Sequence, residues 1–114
     1  MTSKENKMTK TVYLNNENFD ETIESGVALV DFYADWCPPC KALGPTIDTL
    51  ADKTADKALV AKVNIDENPE LAQRFGVRSI PTIVALKNAT EVGRLMGNVP
   101  LGQLEELLED ANSN

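Results

Sequence analysis

Residues 30–45 read VDFYADWCPPCKALGP and hold both cysteines of the 114-residue chain, Cys37 and Cys40. The run leading into them, VALVDFYA (27–34), is apolar on both faces. Val27, Leu29 and Tyr33 point one way; Ala28, Val30, Phe32 and Ala34 point the other. Such a strand belongs at the centre of a sheet that is covered on both sides. The run that follows, PPCKALGPTIDTLADKTA (38–55), sets Leu43, Ile47 and Leu50 in one stripe at helical spacing. Pro45 lies inside it and predicts a kink. The cysteine pair therefore stands where a buried strand turns into a helix.

The alternation continues outward in both directions. Upstream, TVYL (11–14) reads as a short strand, and NNENFDETIES (15–25) as a helix. Asn15 or Asn16 caps that helix, Phe19 and Ile23 share its apolar face, and Gly26 ends it. Downstream, ALVAKVNID (58–66) is a second buried strand. NPELAQRFG (68–76) is a helix capped by Asn68, opened by Pro69 and stopped by Gly76. TIVALK (82–87) and EVGRLMG (91–97) form a hairpin around NAT. PLGQLEELLED (100–110) is a closing helix with Leu101, Leu104, Leu107 and Leu108 inward, and ANSN (111–114) is a loose tail. The order β-α-β-α-β-α-β-β-α implies parallel pairing first and antiparallel pairing in the hairpin. The result is an α/β domain with a mixed sheet and helices on both sides. It spans residues 11–110, behind a flexible N-terminal extension of residues 1–10.

Composition narrows the function. Lys and Arg total 11 against 18 Asp and Glu, a net charge of −7. That balance opposes binding to nucleic acid, whose phosphates call for clustered cations. The first residues, MTSKENKMTK, lack the apolar run of a secretory signal, and no segment is apolar for the length of a membrane span. A cytoplasmic protein is expected. The chain has no histidine, so the commonest general base and the commonest metal ligand are both missing.

Three readings of the cysteines compete. Structural zinc takes four ligands, and two thiols without histidine fall short unless two chains share a site. A passive staple closing so short a loop contributes about 2 kcal/mol, against about 3 for a fifteen-residue loop. A redox pair explains the position itself. Cys37 precedes proline, which pushes its backbone out of the helical region and makes it a natural cap. Pro38 and Pro39 fill the first turn, where absent N–H groups leave no helical bond unmade. Cys40 lies one turn in, and residues three apart on a helix face each other at about 5–6 Å, within disulfide reach. Cys37, at the positive end of the helix, should be ionised and reachable, and should attack. Cys40, shielded by the first turn, should resolve the mixed disulfide.

The segments VDFYADWCPPCK, KVNIDENPELAQRFGVRSIPT and RLMGN, in this order, resemble the thioredoxin family over roughly residues 10–110. The resemblance implies the thioredoxin fold, a five-stranded mixed sheet flanked by four helices. It implies a protein-disulfide reductase that binds no cofactor of its own and uses Cys37–Cys40 as a redox-active disulfide. Its partners would be disulfide-containing proteins and a thioredoxin reductase, through which NADPH is used indirectly. No nucleic acid, membrane or metal partner is implied, and a monomer is expected. Two alternatives keep the same fold: a thiol oxidase or isomerase, and a binding subunit indifferent to redox state.

The resemblance also assigns individual residues. Asp31, which interrupts the apolar strand on the face of Leu29 and Tyr33, matches the family's buried carboxylate and would exchange a proton with Cys40. Lys62 matches the lysine near that carboxylate. Pro81 matches the cis-proline beside the cysteines, leaving the backbone of Ile80 free to bond an extended substrate. Trp36, Ile80, Pro81 and Gly97 would form an apolar substrate patch around Cys37. The chain departs from the common family pattern in its Pro38-Pro39 spacer, in Tyr33, in Ser79, and in the glycine-free NAT turn. In that turn Asn88 is expected to carry the left-handed conformation.

Overall fold

The computed structural model describes residues 11–114; the expected N-terminal extension lies outside the described residues. In chain order the elements are β1 (Thr11–Tyr13), α1 (Phe19–Thr22), β2 (Val27–Tyr33), α2 (Pro38–Lys53), β3 (Leu59–Asn64), α3 (Pro69–Arg74), β4 (Thr82–Lys87), β5 (Thr90–Met96) and α4 (Leu101–Ser113). The strands make one sheet in the order β1-β3-β2-β4-β5. β1, β3 and β2 run parallel, whereas β4 and β5 are antiparallel to their neighbours. This is the five-stranded mixed sheet with four helices that the resemblance implies.

β2 occupies the centre because both its faces are apolar. Val27 and Leu29 pack with Leu43, Ile47 and Leu50 of α2 and with Leu104 and Leu108 of α4. Ala28, Val30 and Phe32 pack on the opposite face with Phe19, Ile23 and Leu71. Pro45 lies within α2, as read from the sequence. Both cysteines lie just past the C-terminal end of β2, where the chain leaves for α2.

Several local expectations change. The first helix is confined to Phe19–Thr22 instead of 15–25. Asn15 and Asn18 explain this: the Asn15 N–H donates to Asn18 Oδ1 (2.8 Å), and the N–H groups of Glu17 and Asn18 donate to Asn15 Oδ1 (2.9 and 3.0 Å). Side-chain oxygens that take backbone donors favour a turn over a helix. Asn68 makes no side-chain cap on α3. Its Oδ1 accepts from the Asn16 N–H at 3.0 Å and its Nδ2 donates to the Asn64 carbonyl at 3.1 Å, so it ties two loops together. The hairpin turn is Asn88-Ala89, with Thr90 already in β5. Both turn residues take positive φ, 50° and 72°, so Ala89 shares the left-handed conformation expected of Asn88 alone. A two-residue hairpin turn of this kind needs it at both positions. The residues read as a loose tail are helical to Ser113. Ala111, 1% exposed, anchors that last turn in the core, and Lys87 Nζ donates to the carbonyls of Asn112 and Asn114.

Candidate active site

β2 stops at Tyr33, and Ala34 is still buried. Asp35 and Trp36 then turn out into solvent. Cys37 re-enters as the N-cap of α2 with an extended backbone (φ −98°, ψ 109°). Its N–H donates to the Ala34 carbonyl at 3.3 Å. Pro38 and Pro39 take the first two helical positions, as their lack of an N–H allows. The first available helix donor is therefore the N–H of Cys40, and it points at Cys37 Sγ from 3.2 Å. The two sulfurs are joined in a disulfide across a Cα–Cα distance of 5.2 Å.

Both cysteines are 3% exposed. This corrects the expectation that Cys37 is open and Cys40 shielded. Ala34, Tyr33, Ile65 and Ile80 close around the oxidised pair. Exposure therefore does not rank the two sulfurs; position on the helix does. Cys37 accepts a helix N–H, while Cys40 supplies it.

Ile80, in the loop before β4, is the neighbour that comes from a distant part of the chain. Its carbonyl oxygen lies 3.8 Å from Cys37 Sγ. The Ile80–Pro81 peptide bond is cis. The Pro81 carbonyl accepts from the Gly97 N–H at 2.8 Å, and Thr82 Oγ1 donates to the Ser79 carbonyl at 2.6 Å. Gly97 has φ +94°, which suits glycine alone among common residues. Trp36 is 65% exposed, so core packing does not account for it. Its Nε1 donates to Asp66 Oδ2 at 2.8 Å and fixes the ring at the surface. Ile80 thus meets the cysteines, Gly97 meets Pro81, and Trp36 reaches outward to Asp66.

Sequence reasoning missed Met96 and Asp66. Met96 is 60% exposed, in register with Thr82 and next to Gly97. Its Sδ lies 3.9 Å from Ser79 Oγ. Only strand register reveals that it borders the Pro81 loop. Nothing in the sequence announces the Asp66 contact, because it joins two loops.

Asp31 is 1% exposed, and neither carboxylate oxygen has a hydrogen-bond partner among the described residues. Burial pushes its pKa up to about 7, and the Lys62 ammonium opposes that rise. Lys62 stands in register with Asp31 across β2 and β3. Its Nζ lies 4.4 Å from the centroid of the Tyr33 ring and 5.7 Å from that of Tyr13. Lys62 and Cys40 line one cleft with Tyr33, Ala34, Lys41 and Gly44. Lys62 thus links the buried carboxyl, its register partner, to the cleft that it lines with Cys40.

Among the described residues no cluster of three His, Cys, Asp or Glu side chains is placed to hold a metal ion. No described helix is long and apolar enough to cross a membrane.

The Thioredoxin family model matches residues 10–110. The thioredoxin of Staphylococcus haemolyticus is 44% identical over 98 residues, covering 86% of this chain and 94% of that one. The thioredoxin of Alicyclobacillus acidocaldarius is 44% identical over 101 residues, covering 88% and 96%. A mutant thioredoxin from Halobacterium salinarum superposes with a TM-score of 0.83 at 38% identity, covering 90% of this chain and 91% of that one. The chain belongs to the thioredoxin family, and its Cys37–Cys40 disulfide carries that family's thiol–disulfide oxidoreductase chemistry.

Proposed function

We propose that the chain is a general protein-disulfide reductase in which Cys37 attacks and Cys40 resolves. The observation that carries this is the Cys40 N–H aimed at Cys37 Sγ from 3.2 Å. With Pro38 and Pro39 unable to donate, this N–H and the helix end behind it stabilise negative charge on the sulfur of Cys37. The Cys37 thiolate attacks one sulfur of a substrate disulfide. A mixed disulfide forms and the other substrate sulfur leaves as a thiolate. Cys40 then gives its proton to the Asp31 carboxylate and attacks the Cys37 sulfur. The second substrate thiolate leaves, and the Cys37–Cys40 disulfide closes. The two electrons of the dithiol now reside on the substrate.

Asp31 suits the acceptor role because its pKa of about 7 lets it take and return a proton near neutrality. Lys62 supports it by keeping that value from rising further. Ile80 offers backbone groups to an extended substrate, with Pro81, Gly97 and Trp36 as the apolar surround. The unit of function is the domain from Thr11 to the end of α4 at Ser113, acting as a monomer in the cytoplasm on disulfide-containing proteins. A thioredoxin reductase returns the electrons, drawing them from NADPH.

The test is reduction of insulin disulfides with dithiothreitol and with NADPH plus a thioredoxin reductase. Turnover with both is expected, and its loss in Cys37→Ser. No turnover with either would overturn the proposal. Pro38 favours one second reading, an oxidase or isomerase, since a proline at this spacer position also occurs in more oxidising relatives. A reduction potential well above the glutathione pool of the cytosol would support that reading instead.

A further inference from the structure

We infer that Tyr13 is a positioning residue: its ring, together with that of Tyr33, holds the Lys62 ammonium in line with the buried Asp31 carboxylate. Tyr13, Lys62 and Asp31 form one cross-strand row, since Tyr13 is in register with Lys62 and Lys62 with Asp31. Tyr13 is 62% exposed on the edge strand β1, so the core does not explain its aromatic ring. Its neighbour Val12 does the packing, on the opposite face. The Tyr13 ring centroid lies 5.7 Å from Lys62 Nζ, and the Tyr33 ring approaches the same ammonium to 4.4 Å.

A lysine stem has four rotatable carbons and its ammonium is strongly hydrated. Left alone, Lys62 would swing toward solvent and away from Asp31. Aromatic faces hold a cation against that tendency. Lys62 is the charge that lowers the proton affinity of Asp31, so any loss of its placement makes Asp31 easier to protonate. Among the described residues Lys62 is the charge that lowers the proton affinity of Asp31, and neighbouring Lys41 does not act on it in this way. β4 presents Ile83, and α4 presents Leu104 and Leu108. α2 brings Cys40 in its disulfide and Lys41 on the cleft wall, while its Asp48 is bonded to Thr11 Oγ1 at 2.7 Å. The loop after β2 adds only Asp35, an anion, which lines the same cleft.

The consequence for turnover rests on the proton-acceptor role proposed above for Asp31; the effect on Asp31 titration does not. The experiment follows the Asp31 carboxyl carbon by NMR across pH in the full oxidised chain. The variants are Tyr13→Phe, Tyr13→Leu, Lys62→Met, and Tyr13→Leu with Lys62→Met. Tyr13→Leu should raise the Asp31 midpoint, by at most the rise that Lys62→Met produces, since Lys62 keeps its charge. Tyr13→Phe, which keeps the ring, should leave it in place. With Lys62→Met present, Tyr13→Leu should add nothing. An unchanged midpoint in Tyr13→Leu would overturn the inference. So would an equal rise in Tyr13→Phe, or a rise that persists without Lys62. A wild-type protein that fails to reduce insulin yet shows this pattern would remove the reductase reading and leave the positioning role standing.

Discussion

Alternate residues of β2 serve two faces that solve different problems. On one face Ala28, Val30 and Phe32 are buried among aliphatic and aromatic side chains, with Phe32 5.7 Å from Phe75. On the other, Val27 and Leu29 begin an equally apolar row, which Asp31 then breaks. The first face contributes stability and holds no polar side chain of β2. The second holds a carboxyl group without a hydrogen-bond partner among the described residues, at a cost in stability. One strand thus separates a wholly apolar row from a row that carries a carboxylate by the two-residue period of its side chains. A buried carboxylate is thereby confined to one row of the strand, with Lys62 in register beside it.

Substitutions on the two faces should therefore act in opposite directions. The largest effect is expected from Phe32→Ala, which leaves a cavity beside Phe75 and should cost about 3–5 kcal/mol in urea denaturation. A loss under about 1 kcal/mol would mean that this face is not the stabilising one. Asp31→Asn should do the reverse. With a folded pKa of about 7 against an ordinary 3.8, the folded chain holds a proton that the unfolded chain releases between those values. Stability conferred by the neutral form is complete below about pH 4 and is lost as pH rises to about 7. Asp31→Asn escapes that loss, so its advantage should grow from about pH 4 to pH 8, reaching at most about 4 kcal/mol. The same variant should slow resolution by Cys40 near neutrality. A stability difference that does not vary with pH, or an unchanged rate between about pH 6 and 9, would break the comparison.

The smallest effect belongs to the other end of the sheet. Ala89 holds φ 72° in the hairpin turn, far from the cysteines in the order of the chain. Ala89→Gly should stabilise the fold by about 0.5–1 kcal/mol, through relief of a left-handed alanine offset by the freer unfolded glycine. Insulin reduction should stay as it is. A change in rate would show that the turn and the redox end are coupled.

What could be read from the chain follows from what is local. The central strand announced itself by its two apolar faces, and the helices by stripes such as Leu43, Ile47 and Leu50. Cys37 as cap and Pro38 at the first helical position followed from proline chemistry alone. Other features depend on choices that a residue type leaves open. Asparagine serves equally as a helix cap or as a turn former, so Asn15 and Asn18 could be assigned only once their mutual bonds were seen. Alanine carries no turn signature, which hid Ala89. The helical continuation to Ser113 rests on the burial of one alanine, Ala111. The burial of Cys37 comes partly from Ile80, 43 residues away, and the Tyr13–Lys62–Asp31 row exists only once strand register is known.

The proposed reaction depends on residue 37 supplying the attacking thiolate. In the oxidised chain its sulfur is enclosed, so the reduced chain is the form to probe. Limiting iodoacetamide, applied across pH to the reduced protein and followed by peptide mass spectrometry, reports both ionisation and access. The expected result is modification at Cys37 ahead of Cys40, with a midpoint well below the roughly 8.5 of free cysteine. Modification that starts at Cys40, or a Cys37 thiol as basic as free cysteine and closed to the reagent, would contradict it.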